Sequence, residues 1–332
     1  MIDLKKIVKD PRLEKTLISL CSSAIQLSKE ISLSDSEGNH RLLVGTNSDG
    51  DGQKQLDVIA DDIFCTSLKD AGVGFYASEE RETIEMLNKD DDLGVAIDPL
   101  DGSSNIDCNV SIGTIFSIKK IKNKKFPEED FFLLGDYLAS GYFIYGPQTL
   151  LVFTVGSGVL KFLLNFEDNK FISVTSNMKI PEHTQEYAIN SSNSRYWPSP
   201  VRSYIEELLD GTTGQRKKNY NMRWVASLVA ETHRILERGG VFLYPGDYRE
   251  GYSEGRLRKI YECGPIAYLI EQARGLATDG IEPIVNSNAG SLHQRTPFVF
   301  GCKEEVETVK KFYEDPKIVH APLFRTRGLF NR

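Results

Sequence analysis

The densest chemistry in the sequence lies in Asp98-Pro99-Leu100-Asp101-Gly102-Ser103-Ser104-Asn105-Ile106-Asp107. Two carboxylates three residues apart, with proline between them and glycine just after, can converge on one point at a strand end. The Leu100 carbonyl adds a third oxygen. A donor set made only of oxygen suits a hard divalent cation, Mg²⁺ or Mn²⁺. Gly102 lets the backbone approach closely, and if Ser103 and Ser104 open a helical turn, their N–H groups face an anion. Metal and phosphate would then share one place. A bare D-P-x-D-G can equally be an Asx-type turn with a capping aspartate; the full ten-residue string favours the cation site.

Further carboxylates depend on convergence for their meaning. Ser78-Glu79-Glu80 follows the strand-like Val73-Gly74-Phe75-Tyr76 and, taken alone, reads as solvated surface. Asp51 and Asp57 stand six apart. Glu262 precedes Gly264-Pro265 and an apolar helix, where a carboxylate near the N-cap is the plain reading. Competing chemistries find less support. Gly251-Tyr252-Ser253-Glu254-Gly255 matches the G-x-S-x-G of a hydrolase nucleophile elbow but lacks a strand directly before it and an apolar helix directly after it. The chain has no G-x-x-x-x-G-K-[ST], so no P-loop NTPase is indicated. Its five histidines show no zinc spacing, and His233 and His293 read as structural.

These residues need elements to hold them. Leu13, Leu17, Leu20, Ala24, Leu27 and Ile31 mark one face of a first helix. A polar, glycine-bearing stretch over 32–52 reads as a mobile loop, and Leu56, Ile59, Ile63 and Leu68 mark a second helix stopped near Gly72. Gly94-Val95-Ala96-Ile97 is a buried strand expected to end at Asp98-Pro99, after a solvated Asp90-Asp91-Asp92. GTIFSIK, YLASGYFIY, LLVFTV, GVLKFLL and FISVT follow as antiparallel strands, with Gly156-Ser157-Gly158 as a hairpin turn. Beyond Ile180-Pro181, helices over 201–209, 223–238, 263–274 and 303–313 alternate with short strands at Val241 to Tyr244 and Phe298 to Gly301. The boundary near residue 180 divides the chain into an N-terminal domain, 1–180, carrying the Asp98–Ser104 motif, and a C-terminal domain, 181–332.

Composition narrows the class. At 332 residues and about 150 per domain, two domains or one large layered unit is expected. Lys plus Arg number 40 against 47 Asp plus Glu, a net charge of -7, and no basic stripe interleaved with aromatics invites nucleic acid. Five scattered cysteines without C-x-x-C argue against a disulfide framework or zinc site. No apolar leader or long apolar run encodes export or membrane spanning, so a cytoplasmic protein is expected.

DPLDGSSNID, with SEE ahead of it and YEC well behind, resembles class I fructose-1,6-bisphosphatase. SLCSSAI, QLDVIADDI, SIGTIFSI, ASGYFIYGP, SLVAETHRILERGGVFLYP and LHQRTP extend the resemblance over nearly the whole chain. Inositol monophosphatases share only a shorter D-P-[ILV]-D-G-[ST] core. The resemblance implies an α/β layered αβαβα sugar-phosphatase fold, with two mixed sheets between helix layers, and hydrolysis of the 1-phosphate of fructose 1,6-bisphosphate. By matching motif, Glu79, Asp98, the Leu100 carbonyl, Asp101 and Glu262 would be metal ligands for two or three Mg²⁺ per subunit, with Mn²⁺ as an alternative. Glu80, Asp51 and Asp57 would orient and deprotonate the attacking water, with Arg258 near the scissile phosphate. Asp101, Gly102, Ser103 and Ser104 would face that phosphate. Asn190, Tyr244 and Arg256 would hold the sugar and its 6-phosphate, with Arg223 reaching in from a neighbouring subunit of a homotetramer.

Two positions depart from the pattern. Arg256 stands where many members have lysine, keeping the charge and gaining a planar fork; Asn193 replaces the phosphate-contacting tyrosine of animal members. The positions that bind inhibitory AMP in animal and enterobacterial members align with Asp10, Glu14, Asp92, Leu93 and Lys120, so AMP inhibition is expected to be weak or absent. No cysteine-bearing redox insertion lies around residues 118–130, so thiol control is not expected. Sedoheptulose 1,7-bisphosphate or an inositol phosphate are the alternative substrates within the same fold. A catalytically silent sugar-phosphate sensor is the alternative of another class.

Overall fold

The computed structural model describes residues 4, 5, 7–33, 43–46 and 52–315. Asp10 opens helix α1 (Pro11–Leu33) by accepting the Arg12 N–H at 2.8 Å on its carboxylate, and proline occupies the first helical position, where no N–H is missed. Part of the expected loop over 32–52 is a strand pair, β1 (Leu43–Thr46) against β2 (Gly52–Lys54). Helix α2 (Gln55–Ala71) follows at once and stops at Gly72, whose φ of +83° suits a residue without Cβ.

The strands β3 (Phe75–Ser78), β4 (Glu85–Met86), β5 (Leu93–Asp101), β6 (Ile112–Lys120), β7 (Ala139–Tyr145), β8 (Thr149–Thr154), β9 (Val159–Asn165) and β10 (Lys170–Met178) form one sheet, in the order β10-β9-β8-β7-β6-β5-β3-β4. The run from β5 to β10 is an antiparallel meander; β3 joins it parallel to β5. The short α3 (Glu128–Phe132) interrupts the chain between β6 and β7. A second mixed sheet, in the order β12-β11-β13-β17-β15, is built from β11 (Glu186–Ala188), β12 (Asn221–Met222), β13 (Val241–Tyr244), β15 (Leu276–Thr278) and β17 (Phe298–Gly301). A separate two-stranded ladder pairs β14 (Leu257–Arg258) with β16 (Arg295–Thr296).

The alternation of side chains along each strand decides the layers. Val95, Ile97, Phe116, Phe143, Tyr145, Leu151 and Phe153 point to the face covered by α1 and α2. Their neighbours Ile115, Tyr142, Ile144, Leu150 and Val152 point to the opposite face, into a core shared with α5 (Leu228–Arg238), α6 (Gly264–Gln272) and Phe242, Phe298 and Phe300 of the second sheet. Val241, Leu243 and Val299 of that sheet face α4 (Ser199–Leu209) and α7 (Lys303–Glu314). The stacking is therefore helix, sheet, helix, sheet, helix, as the αβαβα reading expects. Both faces of the central strands are covered, which is why those strands read as apolar runs rather than as alternating ones, whereas the edge strand β10 leaves Ile172 and Val174 exposed.

Several local expectations are corrected. β5 does not end at Asp98-Pro99 but continues to Asp101. Residues 223–227 are not helical: Ser227 is the N-cap, so α5 starts at Leu228. Asp91 and Asp92 are not simply solvated; both pair with Arg12, at 3.3 and 2.7 Å. The cysteines described are free thiols. His233 bonds Tyr142 and His293 bonds the Arg81 carbonyl, consistent with structural roles.

Candidate active site

The extension of β5 creates the site. In a regular strand, residues 98 and 101 would face opposite sides of the sheet. The register against β6 slips between them: Asp98 pairs with Ile115, whereas Asp101 pairs with Gly113. Three steps on β5 thus match two on β6. This is a β-bulge, and the extra residue returns Asp101 to the face of Asp98. Proline suits the irregular position because it has no N–H to lose from the ladder; its carbonyl takes the Thr114 hydroxyl at 2.8 Å. Asp98 is held by the Leu100 N–H, 3.0 Å from its Oδ1.

Glu79 arrives by parallel pairing. Ser78 stands opposite Ile97 in the β3–β5 ladder, and the Glu79 N–H donates to the Ile97 carbonyl at 3.1 Å, placing Glu79 beside Asp98. Glu262 lies in a π-helical turn, Lys259–Cys263, ahead of α6. It does not cap α6, as its place in the sequence suggests; its Oε2 accepts the Arg258 N–H at 2.5 Å. Wide helical turns of this kind re-aim one side chain and recur at functional sites.

The result is one buried acidic cluster. Asp98, Asp101 and Glu262 each offer an oxygen within 4.8 Å of the others. Burial pushes the carboxyls of Glu79 and Asp98 well above the usual carboxylate range, and the mutual repulsion of Glu79, Asp98, Asp101 and Glu262 adds to it. Glu262 is raised by burial and by Asp101. Asp101 is also raised by burial, against the pull of three donors: the Val229 N–H at 2.8 Å, the Ser227 hydroxyl at 2.9 Å and the Leu228 N–H at 3.3 Å. Carboxylates so placed hold charge poorly in water's absence unless a cation joins them. The donor set, all oxygen and buried, fits a hard divalent ion.

Only some of the remaining predicted residues fall around this cluster. Glu80 and the buried Asp57, in the first turn of α2, act electrostatically on Glu79. Asp51 lies outside the described residues. Arg258 is 2% exposed, and its Nε donates to Glu79 at 3.1 Å. Gly102, at φ +76°, opens a 3₁₀ turn over Ser103–Cys108, as expected of Ser103 and Ser104. A Cβ at Gly102 would lie 2.9 Å from that of Ser227. Asn190 and Tyr244 line a small pocket with Asn193, Trp197 and Asp247. Burial raises the Tyr244 hydroxyl above its ordinary range, against the nearby charge of Arg256, and the Arg256 guanidinium donates to the Tyr252 hydroxyl at 2.9 Å. Arg223 is exposed, 3.7 Å from Glu186, in a different pocket with Lys218 and Arg238. Ser253 sits exposed in a turn, without the strand and helix of a nucleophile elbow.

Sequence reading passes over Ser227, whose hydroxyl anchors Asp101. A serine just ahead of an apolar helical run is an N-cap signal, but placing the helix start at 223 hides it. Arg81 carries no sequence signal beyond its position after Glu79-Glu80.

Comparison with known proteins supplies the family. Residues 11–176 match the model of the fructose-1-6-bisphosphatase N-terminal domain, and residues 180–314 that of the C-terminal domain. Curated relatives named fructose-1,6-bisphosphatase class 1 include one from Paracoccus denitrificans, 55% identical over 86% of this chain and 87% of its own. Another, from Rhodobacter capsulatus, is 49% identical over 99% of both chains. The crystal structure of Leishmania major fructose-1,6-bisphosphatase in holo form superposes with a TM-score of 0.88 at 32% identity, covering 94% of this chain and 97% of that one. Sequence, layer order and the solved fold agree, and the chain belongs to the class 1 fructose-1,6-bisphosphatase family.

Proposed function

We propose that this protein hydrolyses fructose 1,6-bisphosphate to fructose 6-phosphate and inorganic phosphate, with Mg²⁺ as its metal. The observation that carries the reading is the buried acidic cluster formed by Asp98, Asp101 and Glu262, with Glu79 beside it, in a chain of this family. Glu79, Asp98, the Leu100 carbonyl, Asp101 and Glu262 would hold two or three Mg²⁺, or Mn²⁺, per subunit. When bound, such ions neutralise phosphoryl oxygens and acidify water. The substrate is strongly anionic and the chain carries a net charge of -7, so the cluster needs cations before it can receive a phosphate.

The chain's own groups then divide the work. Glu80 and Asp57, with Asp51, orient the attacking water and accept its proton. Arg258 places a buried positive charge beside the cluster, near the scissile phosphate. Backbone N–H groups at Gly102, Ser103 and Ser104 face the phosphate from the 3₁₀ turn. Asn190, Tyr244 and Arg256 grip the 6-phosphate end, and Arg223 completes that grip from a neighbouring subunit of a homotetramer; its exposure on the monomer supports this assignment. Because the phosphoryl transition state is loose, positioning and charge stabilisation supply most of the rate.

The ion pairs of Arg12 support insensitivity to AMP. Arg12 binds Asp10, Asp91 and Asp92, and Lys120 lies 3.5 Å from Asp92. Two of the positions aligned with the AMP site, Asp10 and Asp92, thus hold carboxylates already engaged with nearby cations, and a nucleotide phosphate gains little there. A division of labour at residue 180 belongs to the same reading: the first sheet ends at Met178 and the second begins at Glu186. No described helix is long and apolar enough to cross a membrane, and we place the enzyme in the cytoplasm. Phosphate release from fructose 1,6-bisphosphate, sedoheptulose 1,7-bisphosphate and inositol 1-phosphate, with and without EDTA, tests the proposal. EDTA-sensitive turnover, fastest on the first substrate, is expected; no turnover with any metal would leave the sensor reading standing.

A further inference from the structure

Arg81 immediately follows Glu79 and Glu80, yet its hydrogen bonds lead away from the acidic cluster. Its Nε donates to Asp61 Oδ2 at 2.5 Å, one Nη donates to Glu85 at 2.5 Å and the other to Asp62 at 3.3 Å. The guanidinium lies 5.3 Å from the centre of the Tyr76 ring. The other Asp61 oxygen accepts the Tyr76 hydroxyl at 2.8 Å, so both oxygens of this buried carboxylate are engaged. The Arg81 backbone is fixed as well: its N–H donates to the Ser78 carbonyl at 3.2 Å, and its own carbonyl lies 3.0 Å from His293 Nε2.

Asp61 stands one helical turn after Asp57 on α2, and Arg81 is the residue next to Glu80. We propose that the Asp61–Arg81 ion pair is a positioning device that fixes the distance between Asp57 and Glu80, the two described carboxylates that handle the attacking water. This inference rests on the functional reading above. The two carboxylates come from different elements, a helix and the turn after β3, and both repel Glu79. The adjacent salt bridge ties those two elements together with opposite charges, partly buried, and the guanidinium reaches both Asp61 and Asp62 of α2. Arg81 and Asp61 need not touch substrate for this role; misplacing a catalytic group by about 1 Å can cost about 10²-fold in rate.

The test uses the full-length enzyme with Asp61→Asn, Arg81→Gln, the double variant and Glu85→Gln. Asp61→Asn keeps an acceptor for the Tyr76 hydroxyl while removing the ion pair. Glu85 lies on β4, which pairs with β3 and not with α2, so its loss removes an ion pair of Arg81 without freeing α2. The expected result is a kcat lowered about tenfold or more in both Asp61→Asn and Arg81→Gln, with KM for fructose 1,6-bisphosphate and the calorimetric affinity for Mn²⁺ nearly unchanged. The double variant should be no slower than the slower single one, because both remove one interaction, and Glu85→Gln should keep its kcat. Equal losses in Glu85→Gln, additive losses in the double variant, or an unchanged kcat in both single variants would overturn the proposal. Should Arg81→Gln fail to fold, Arg81→Lys, which keeps the charge but cannot fork, must show the same loss of kcat without a change in KM. Glu80→Gln separates the two readings: if it is slow while Asp61→Asn turns over normally, the positioning role falls and the assignment of Glu80 stands.

Discussion

Replacing Asp98 by asparagine should stabilise the metal-free protein and abolish its stabilisation by Mg²⁺. Asparagine keeps the size and the Oδ1 that accepts the Leu100 N–H at 3.0 Å, so the bulge keeps its internal hydrogen bond. What changes is charge. Two unit charges 4.8 Å apart, the widest separation between ligand oxygens in the cluster, repel by about 3.5 kcal/mol at an effective dielectric of about 20. Asp98 facing both Asp101 and Glu262 would therefore carry about 7 kcal/mol. Protonating an ordinary aspartate at about pH 7.5 costs only about 5 kcal/mol, so the metal-free cluster takes up a proton instead, and about 5 kcal/mol bounds what the substitution can relieve. With an unfolding entropy of about 0.7 kcal/mol per kelvin for a chain of this length, full relief raises Tm by about 7 °C; partial relaxation of the other carboxylates in the wild type leaves about 3–7 °C.

The sign reverses with metal. At a Mg²⁺ concentration about 100 times Kd the wild-type protein gains about 2.7 kcal/mol, or about 4 °C, whereas Asp98→Asn gains little. The pH dependence follows the same logic. Carboxyls raised on folding bind more protons in the native state than in the unfolded one, so the metal-free wild type loses stability as pH rises above about 4. Asp98→Asn, with one such group fewer, should show a shallower slope. Differential scanning fluorimetry with EDTA and then with Mg²⁺, from about pH 5 to 8, reads both effects. A lower metal-free Tm in Asp98→Asn, or an unchanged Mg²⁺ shift, would refute the cluster as a cation site.

Glu80→Gln should lower kcat by about 10²–10⁴-fold while leaving the Mn²⁺ binding isotherm in place; weakened binding without slow chemistry would make Glu80 a ligand instead. Ser227→Ala removes both the hydroxyl donated to Asp101 and the oxygen that caps Ala230 N–H at 3.2 Å, and should cost about 1–2 kcal/mol in urea unfolding and shift the Mg²⁺ dependence of activity to higher concentration. Micromolar AMP should leave activity unchanged, and inhibition in that range would contradict the reading of the Arg12 ion pairs.

Much of the fold was legible because burial leaves a periodic trace. The α1 face, the end of α2 at Gly72 and the meander from β6 to β10 follow from spacing alone. The misreadings have separate causes. Pro99 lies inside β5 because a bulge tolerates it, and the segment before Ser227 is irregular although its apolar residues resemble a helix. The strand pair 43–46 and 52–54 is hidden in polar text, where short ladders leave no hydrophobic signature.

The amino-acid sequence by itself determined which atoms were available: oxygen donors clustered at 98–101, a carboxylate pair at 79–80, one more at 262, and apolar runs long enough to bury two sheets. Tertiary structure alone decided which of these meet. The slip of register in β5 turns Asp101 to the side of Asp98, the parallel ladder sets Glu79 beside them, and the π turn swings Glu262 in. The donors that fix Asp101 lie 126 to 128 residues away. Spacing along a chain reports local geometry over a few residues; contacts across such separations are set by how the layers stack, since a side chain's electrostatic neighbours are chosen by packing and not by sequence distance.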